Sequence, residues 1–85
     1  MLMTTKLTLQ ALIDESKLSI SDLSTLIEIN RATFYRRLEH PEKFTIEEVI
    51  RMAKVFHDAA VLHKRNKTIT PQIVFDAISN QIQVN

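Results

Sequence analysis

Apolar residues recur along this chain at helical spacing, in five stretches separated by short polar breaks. Leu9, Leu12 and Ile13 lie three and four apart and share one helix face, with Leu7 joining from the first turn. Leu23, Leu26 and Ile27 repeat the pattern, as do Phe34 and Leu38 four residues apart. Val49, Ile50, Ala53 and Phe56 form the tightest stripe of a fourth stretch, with Ile46 and Val55 beside it and Met52 at its edge. Ile73, Val74, Ala77, Ile78 and Ile82 make a fifth. The pattern predicts an all-α fold, a small domain of four to five helices.

The residues between the stripes set the boundaries. Thr4 or Thr5 caps the first helix, which ends near Ser16. Leu18 precedes the next cap, placed as a hydrophobic staple, and Ser19 caps a short second helix from Ile20 to Ile27. Asn30 caps a third, Arg31 to Glu39, because its side-chain oxygen accepts from the free amides of the next turn. Pro41 closes that helix by forcing His40 out of the helical region. A loop, Pro41 to Phe44, follows. Thr45 and Glu48 stand three apart as a capping box for the fourth helix. Residues 58–64 continue that helix, start a new one or form a strand. Arg65 to Lys67 is a polar turn, and Thr70-Pro71 starts the last helix, since proline at the first helical position loses no hydrogen bond.

The third helix carries an unusual surface. With Phe34 facing inward and about 100° per residue, Ala32 and Arg36 point outward, Thr33 and Tyr35 flank them, and Arg37 lies nearer the inward side. Arg31 stands in the first turn. A small, polar, basic face on a short helix suits a DNA major groove.

The stretch from Leu23 to Leu38 resembles the helix-turn-helix of bacterial and phage DNA-binding proteins, with its pattern L-A-x-x-L-G-I-S-R-S-T-V-Y-R-R-L. Leu23, Ile29, Arg31, Thr33, Tyr35, Arg36, Arg37 and Leu38 match as they stand, and Ile27, Asn30, Ala32 and Phe34 match in kind. The span from about Leu7 to Phe56 resembles the small DNA-binding domain of the Cro/cI-type (xenobiotic-response-element-like) repressors. Two positions depart from that pattern. Ser24 stands where the family favours Ala, and Glu28 where it has Gly with a positive φ. The chain contains no Gly at all, so the resemblance implies a left-handed Glu28 at a cost of about 1–2 kcal/mol.

Charge adds a little. The net charge is only +1, but residues 31–67 hold nine Lys and Arg against five acids, so the basic part begins at the third helix. Hydrophobic residues make up 45% of the chain, enough for a core and too many for disorder. Without Cys there is no disulfide or thiol chemistry, and without Gly no Gly-rich phosphate loop. His40, His57 and His63 lack the i, i+4 spacing of helical metal ligands, so an enzyme is not expected. Met1 to Gln10 does not read as a signal peptide, and no stretch is long enough to span a membrane. A cytoplasmic protein is the default expectation, with no cofactor and no small-molecule ligand evident.

The reading is a DNA-binding domain over residues 1–57 and a C-terminal extension over 58–85, whose last helix packs on the domain or dimerises. Its expected partner is double-stranded DNA, bound as a homodimer on a palindromic operator. Arg31, Ala32 and Arg36 are the candidate base-reading residues. Ser19, Asn30, Thr33, Tyr35, Arg37, His40 and Lys43 are candidates for the DNA backbone. The alternative is a protein-interaction module on the same scaffold, of the anti-repressor or antitoxin type, docking its partner through the last helix.

Overall fold

Phe34, Leu9, Leu23, Ile27, Met52 and Val74 are the largest side chains shut completely away from solvent, and they come from five different helices. A computed structural model of the chain, describing residues 7–84, arranges those helices around one core. They are α1 (Leu9–Ser16), α2 (Ile20–Leu26), α3 (Arg31–Glu39), α4 (Ile46–Leu62) and α5 (Pro71–Val84), with a single 3-10 turn at Pro41–Lys43 between α3 and α4. The described residues are all-helical, as the apolar periodicity requires.

Polar side chains at the helix starts explain where the elements begin. The Ser19 hydroxyl accepts from the Asp22 amide at 3.0 Å, and Asn30 Oδ1 accepts from Ala32 and Thr33 at 2.8 and 3.4 Å. Thr45 and Glu48 form the complete capping box. The Thr70 hydroxyl accepts from the Ile73 amide at 3.2 Å, with Pro71 as the first residue of α5. At α1 the cap is Thr8, whose hydroxyl accepts from Ala11 at 3.2 Å; Thr4 and Thr5 lie outside the described residues.

Two details differ from the sequence reading. The second helix ends one residue earlier, with Ile27 as its C-cap. In α4 the stripe is rotated: Met52 is fully buried, whereas Ile50 is half exposed. Spacing favours Ile50, but Met52 joins the core while Ile50 lines an open groove beside α5. Residues 58–62 extend α4, so one helix crosses the boundary between residues 57 and 58. The core is continuous there as well: Val74, Ala77 and Ile78 of α5 pack with Leu9, Leu12, Val49, Ala53 and Phe56.

α5 lies against α4, α1 and the 3-10 turn. Asn80 donates to the Leu7 carbonyl at 2.8 Å, and Gln81 accepts from the Gln10 amide at 3.2 Å, pinning α5 to the start of α1. α2 and α3 pack on each other, α2 also touches α4, and Phe34 meets Phe44 edge-on with ring centroids 6.0 Å apart.

Three helices end in the left-handed region without glycine: Lys17 (φ 64°), Glu28 (φ 63°) and Lys64 (φ 57°). At Glu28 the next amide, Ile29, reaches back to the Ser24 carbonyl at 3.0 Å; at Lys64 the Arg65 amide reaches Ala60 at 2.8 Å. These are the closing bonds of Schellman-type ends, which satisfy otherwise unpaired carbonyls. The side chain at each position crowds its own backbone, at a cost of about 1–2 kcal/mol.

Lys64→Gly is therefore expected to stabilise the fold by about 0.5–1 kcal/mol, the relief of strain less the extra freedom of the unfolded chain. Glu28→Gly is expected to give less, near zero, because it also removes a contact to Arg51. Denaturant midpoints of the two variants compare them directly, and a Lys64→Gly variant less stable than the wild type contradicts the account.

Candidate nucleic-acid interface

The five arginines divide into two groups. Arg37, Arg51 and Arg65 each face a carboxylate, and Arg31 and Arg36 face none among the described residues. The division follows from where α3 presents its faces.

Phe34 anchors α3 inward, fully buried. Opposite it lie Ala32 and Arg36, both exposed; Arg31 and Tyr35 are exposed nearer the flanks, and Thr33 is half-buried. Of the candidate base-reading residues, Ala32 and Arg36 share the outward side of the helix, and Arg31 is exposed at its first turn. No acidic residue stands in the first turn of α3, so no side-chain negative charge there repels an approaching anion. Asn30 uses its oxygen on two of those amides, leaving its NH2 group to donate outward. Ser19 at the start of α2 is likewise exposed, and accepting one amide leaves its hydroxyl proton free to donate.

Arg37 is spent elsewhere. Its Nε and Nη2 each donate to Glu48 at 3.2 Å, a two-pronged pair with a carboxylate that is almost fully buried. The same carboxylate accepts from the Thr45 amide at 3.0 Å. Arg37, a candidate for the DNA backbone, is thus held by Glu48: turning away entirely would leave that carboxylate charged, buried and short of two hydrogen bonds. His40 and Lys43 are exposed just beyond α3, with His40 Nδ1 at 3.6 Å from Glu42.

Sequence reasoning passed over two residues here. Arg51 stands on α4 yet reaches the turn between α2 and α3: it donates to the Ile27 carbonyl at 3.4 Å and lies 3.8 Å from the Glu28 carboxylate. It also pairs with Glu47 one helical turn away. The Glu47–Arg51 spacing was visible in the sequence, but the reach across to Glu28 was not. The second is Glu39, exposed at the end of α3. It lies seven residues from Ala32, hence almost in line with it on the helix.

Away from α3, an apolar groove of about 550 Å³ opens between the 3-10 turn, α4 and α5. Pro41, Phe44, Ile46, Ile50, Phe75 and Ile82 line much of it. Ile46 is 80% exposed and Phe75 55%.

Among the described residues, no group of three or more His, Asp or Glu is placed to hold a metal ion, and no helix is long and apolar enough to cross a membrane. No protein-family model matches the chain, and neither a curated protein nor a solved structure matches it.

The two kinds of arginine should separate in stability measurements. Arg37→Ala is expected to destabilise the fold by about 1–3 kcal/mol by stranding Glu48. Arg36→Ala should stay within about 0.5 kcal/mol of the wild type, as an exposed, unpaired side chain does. Urea titrations followed by circular dichroism would detect the difference; equal losses would mean that Arg36 has an internal role.

Proposed function

We propose that this protein is a sequence-specific, double-stranded-DNA-binding regulator of the repressor type, with α2 and α3 acting as a helix-turn-helix and α3 lying in the major groove. One observation carries the reading: the two arginines without a carboxylate partner among the described residues are both exposed on the same capped helix, Arg36 in line with the small Ala32 and Arg31 at the helix start. An unpaired guanidinium there can donate two hydrogen bonds to guanine O6 and N7, and the alanine lets the helix approach the base edges. The positive φ of Glu28, at the position where the repressor pattern has glycine, supports the same reading.

In this arrangement Arg31, Ala32 and Arg36 meet the bases. Thr33, Tyr35, Asn30 and Ser19 donate to the sugar-phosphate backbone, Lys43 adds positive charge where α3 ends, and His40 adds a ring N–H donor there. One such helix touches only a few base pairs, so two copies related by a dyad would read a palindromic site whose half-sites lie about one DNA turn apart. The apolar groove suits that dyad, because a two-fold contact uses the same patch on both copies and the groove carries both a hollow and a projecting Phe75.

The groove also favours a second reading, in which it receives an apolar helix of another protein and the domain acts as an anti-repressor or antitoxin. Salt-dependent binding of DNA by the isolated protein separates the two readings.

Selection of bound sequences from random duplex DNA tests the first reading and recovers the operator. On that operator, Arg36→Ala is expected to cost about 1–3 kcal/mol and to relax preference at one position of each half-site, with little effect on scrambled DNA. Equal weakening on both duplexes would show that α3 does not read bases. Phe75→Asp is expected to leave the fold intact while shifting sedimentation toward the monomer and weakening operator binding. A dimer that survives this substitution would place the dyad elsewhere.

A further inference from the structure

Glu39 stands against the helix dipole. It is the last residue of α3, where the unpaired carbonyls of the helix end favour a cation over an anion. It is exposed, and no hydrogen bond or ion pair engages it among the described residues. Arg36, three residues before it on the same side of the helix, leaves it unpaired. A residue that opposes the helix dipole and joins no partner adds nothing to the stability of the fold. Such local inconsistencies concentrate at functional positions.

Its position gives it a use. Ala32, Arg36 and Glu39 follow one another along the outward side of α3. At about 1.5 Å per residue, Ala32 to Glu39 spans about 10.5 Å, and Arg36 to Glu39 about 4.5 Å. Base pairs are spaced about 3.4 Å apart. The three side chains thus cover about three successive steps of a groove, with Glu39 one or two steps beyond Arg36.

We infer that Glu39 is a specificity-determining residue that reads cytosine through its exocyclic amine; this rests on α3 lying in the major groove. In that groove a carboxylate can only accept hydrogen bonds. Guanine offers it two acceptors, thymine an acceptor and a methyl group, and adenine an acceptor beside its amine. Cytosine alone offers a donor with no acceptor next to it. Near the phosphates, Glu39 lowers affinity for every duplex, and it recovers the loss only where N4 of cytosine donates to it. The residue works as much by rejecting other bases as by binding the right one.

The test is selection from random duplex DNA with the wild type, Glu39→Gln, Glu39→Ala and Arg36→Ala, each checked for folding by circular dichroism. The wild type is expected to enrich cytosine within about two base pairs of the guanine whose enrichment is lost in Arg36→Ala. Glu39→Gln should move that preference to adenine, because an amide pairs with N6 and N7 of adenine. Glu39→Ala should abolish it, with roughly tenfold loss of discrimination at that position. Both variants should bind scrambled DNA more tightly than the wild type. If all three Glu39 forms enrich the same base, Glu39 is an ordinary surface charge and the inference falls, while base reading by Arg36 stands. If the wild type enriches no sequence at all, the reading of α3 as a major-groove helix falls with it.

Discussion

A single carboxylate, that of Glu48, fixes how α3 sits on the rest of the molecule. It is almost fully buried and accepts three hydrogen bonds, two from Arg37 and one from the Thr45 amide, while the Glu48 amide donates to the Thr45 hydroxyl. The group therefore does two jobs: it closes the capping box that starts α4, and it clamps the last turn of α3 to that start. Neither is dispensable, since a buried charge with unmet hydrogen bonds costs far more than an exposed one. Phe34 and Phe44 meet edge-on, one from each side of the 3-10 turn. The polar clamp and the aromatic contact together set the angle at which α3 leaves the core.

Arg51 makes the complementary attachment at the other end of α3. It ties the turn at Ile27 and Glu28 to α4, so both ends of α3 are referenced to one long helix. The rigid frame consumes Arg37 and Arg51, and the exposed side of α3 keeps Arg31 and Arg36. Charge on this protein thus has two distinct uses, and only burial and pairing tell them apart.

The sequence carried most of the scaffold. Caps at Ser19, Asn30, Thr45 and Thr70 are local chemistry, decided within four residues, and each stands where the side-chain oxygen meets its amide. The limits of α3 follow from Asn30 and Pro41 for the same reason. What escaped was long-range. Arg37 is eleven residues from Glu48, and Arg51 is twenty-three from Glu28. No pattern of periodicity distinguishes a paired arginine from a free one. Met52 and Ile50 exchanged roles because the packing of other helices on α4, not the spacing within it, decides which is covered. Glu39 was legible from its seven-residue step to Ala32, but its lack of a partner was not.

The bonds between α1 and α5 join residues about seventy positions apart, at Leu7 with Asn80 and Gln10 with Gln81. α2, α3 and the start of α4 close over short loops, and short loops close fast. The face of α1 and α4 that α5 covers has to wait. During translation, a chain that has not yet reached Pro71 can set the cap of α4 and the Arg37 clamp, yet it leaves that apolar face open to water and to chaperones. The clamp and the tie that hold α3 both join residues that precede α5 in the chain. The core that keeps it in place is sealed only when the last helix emerges.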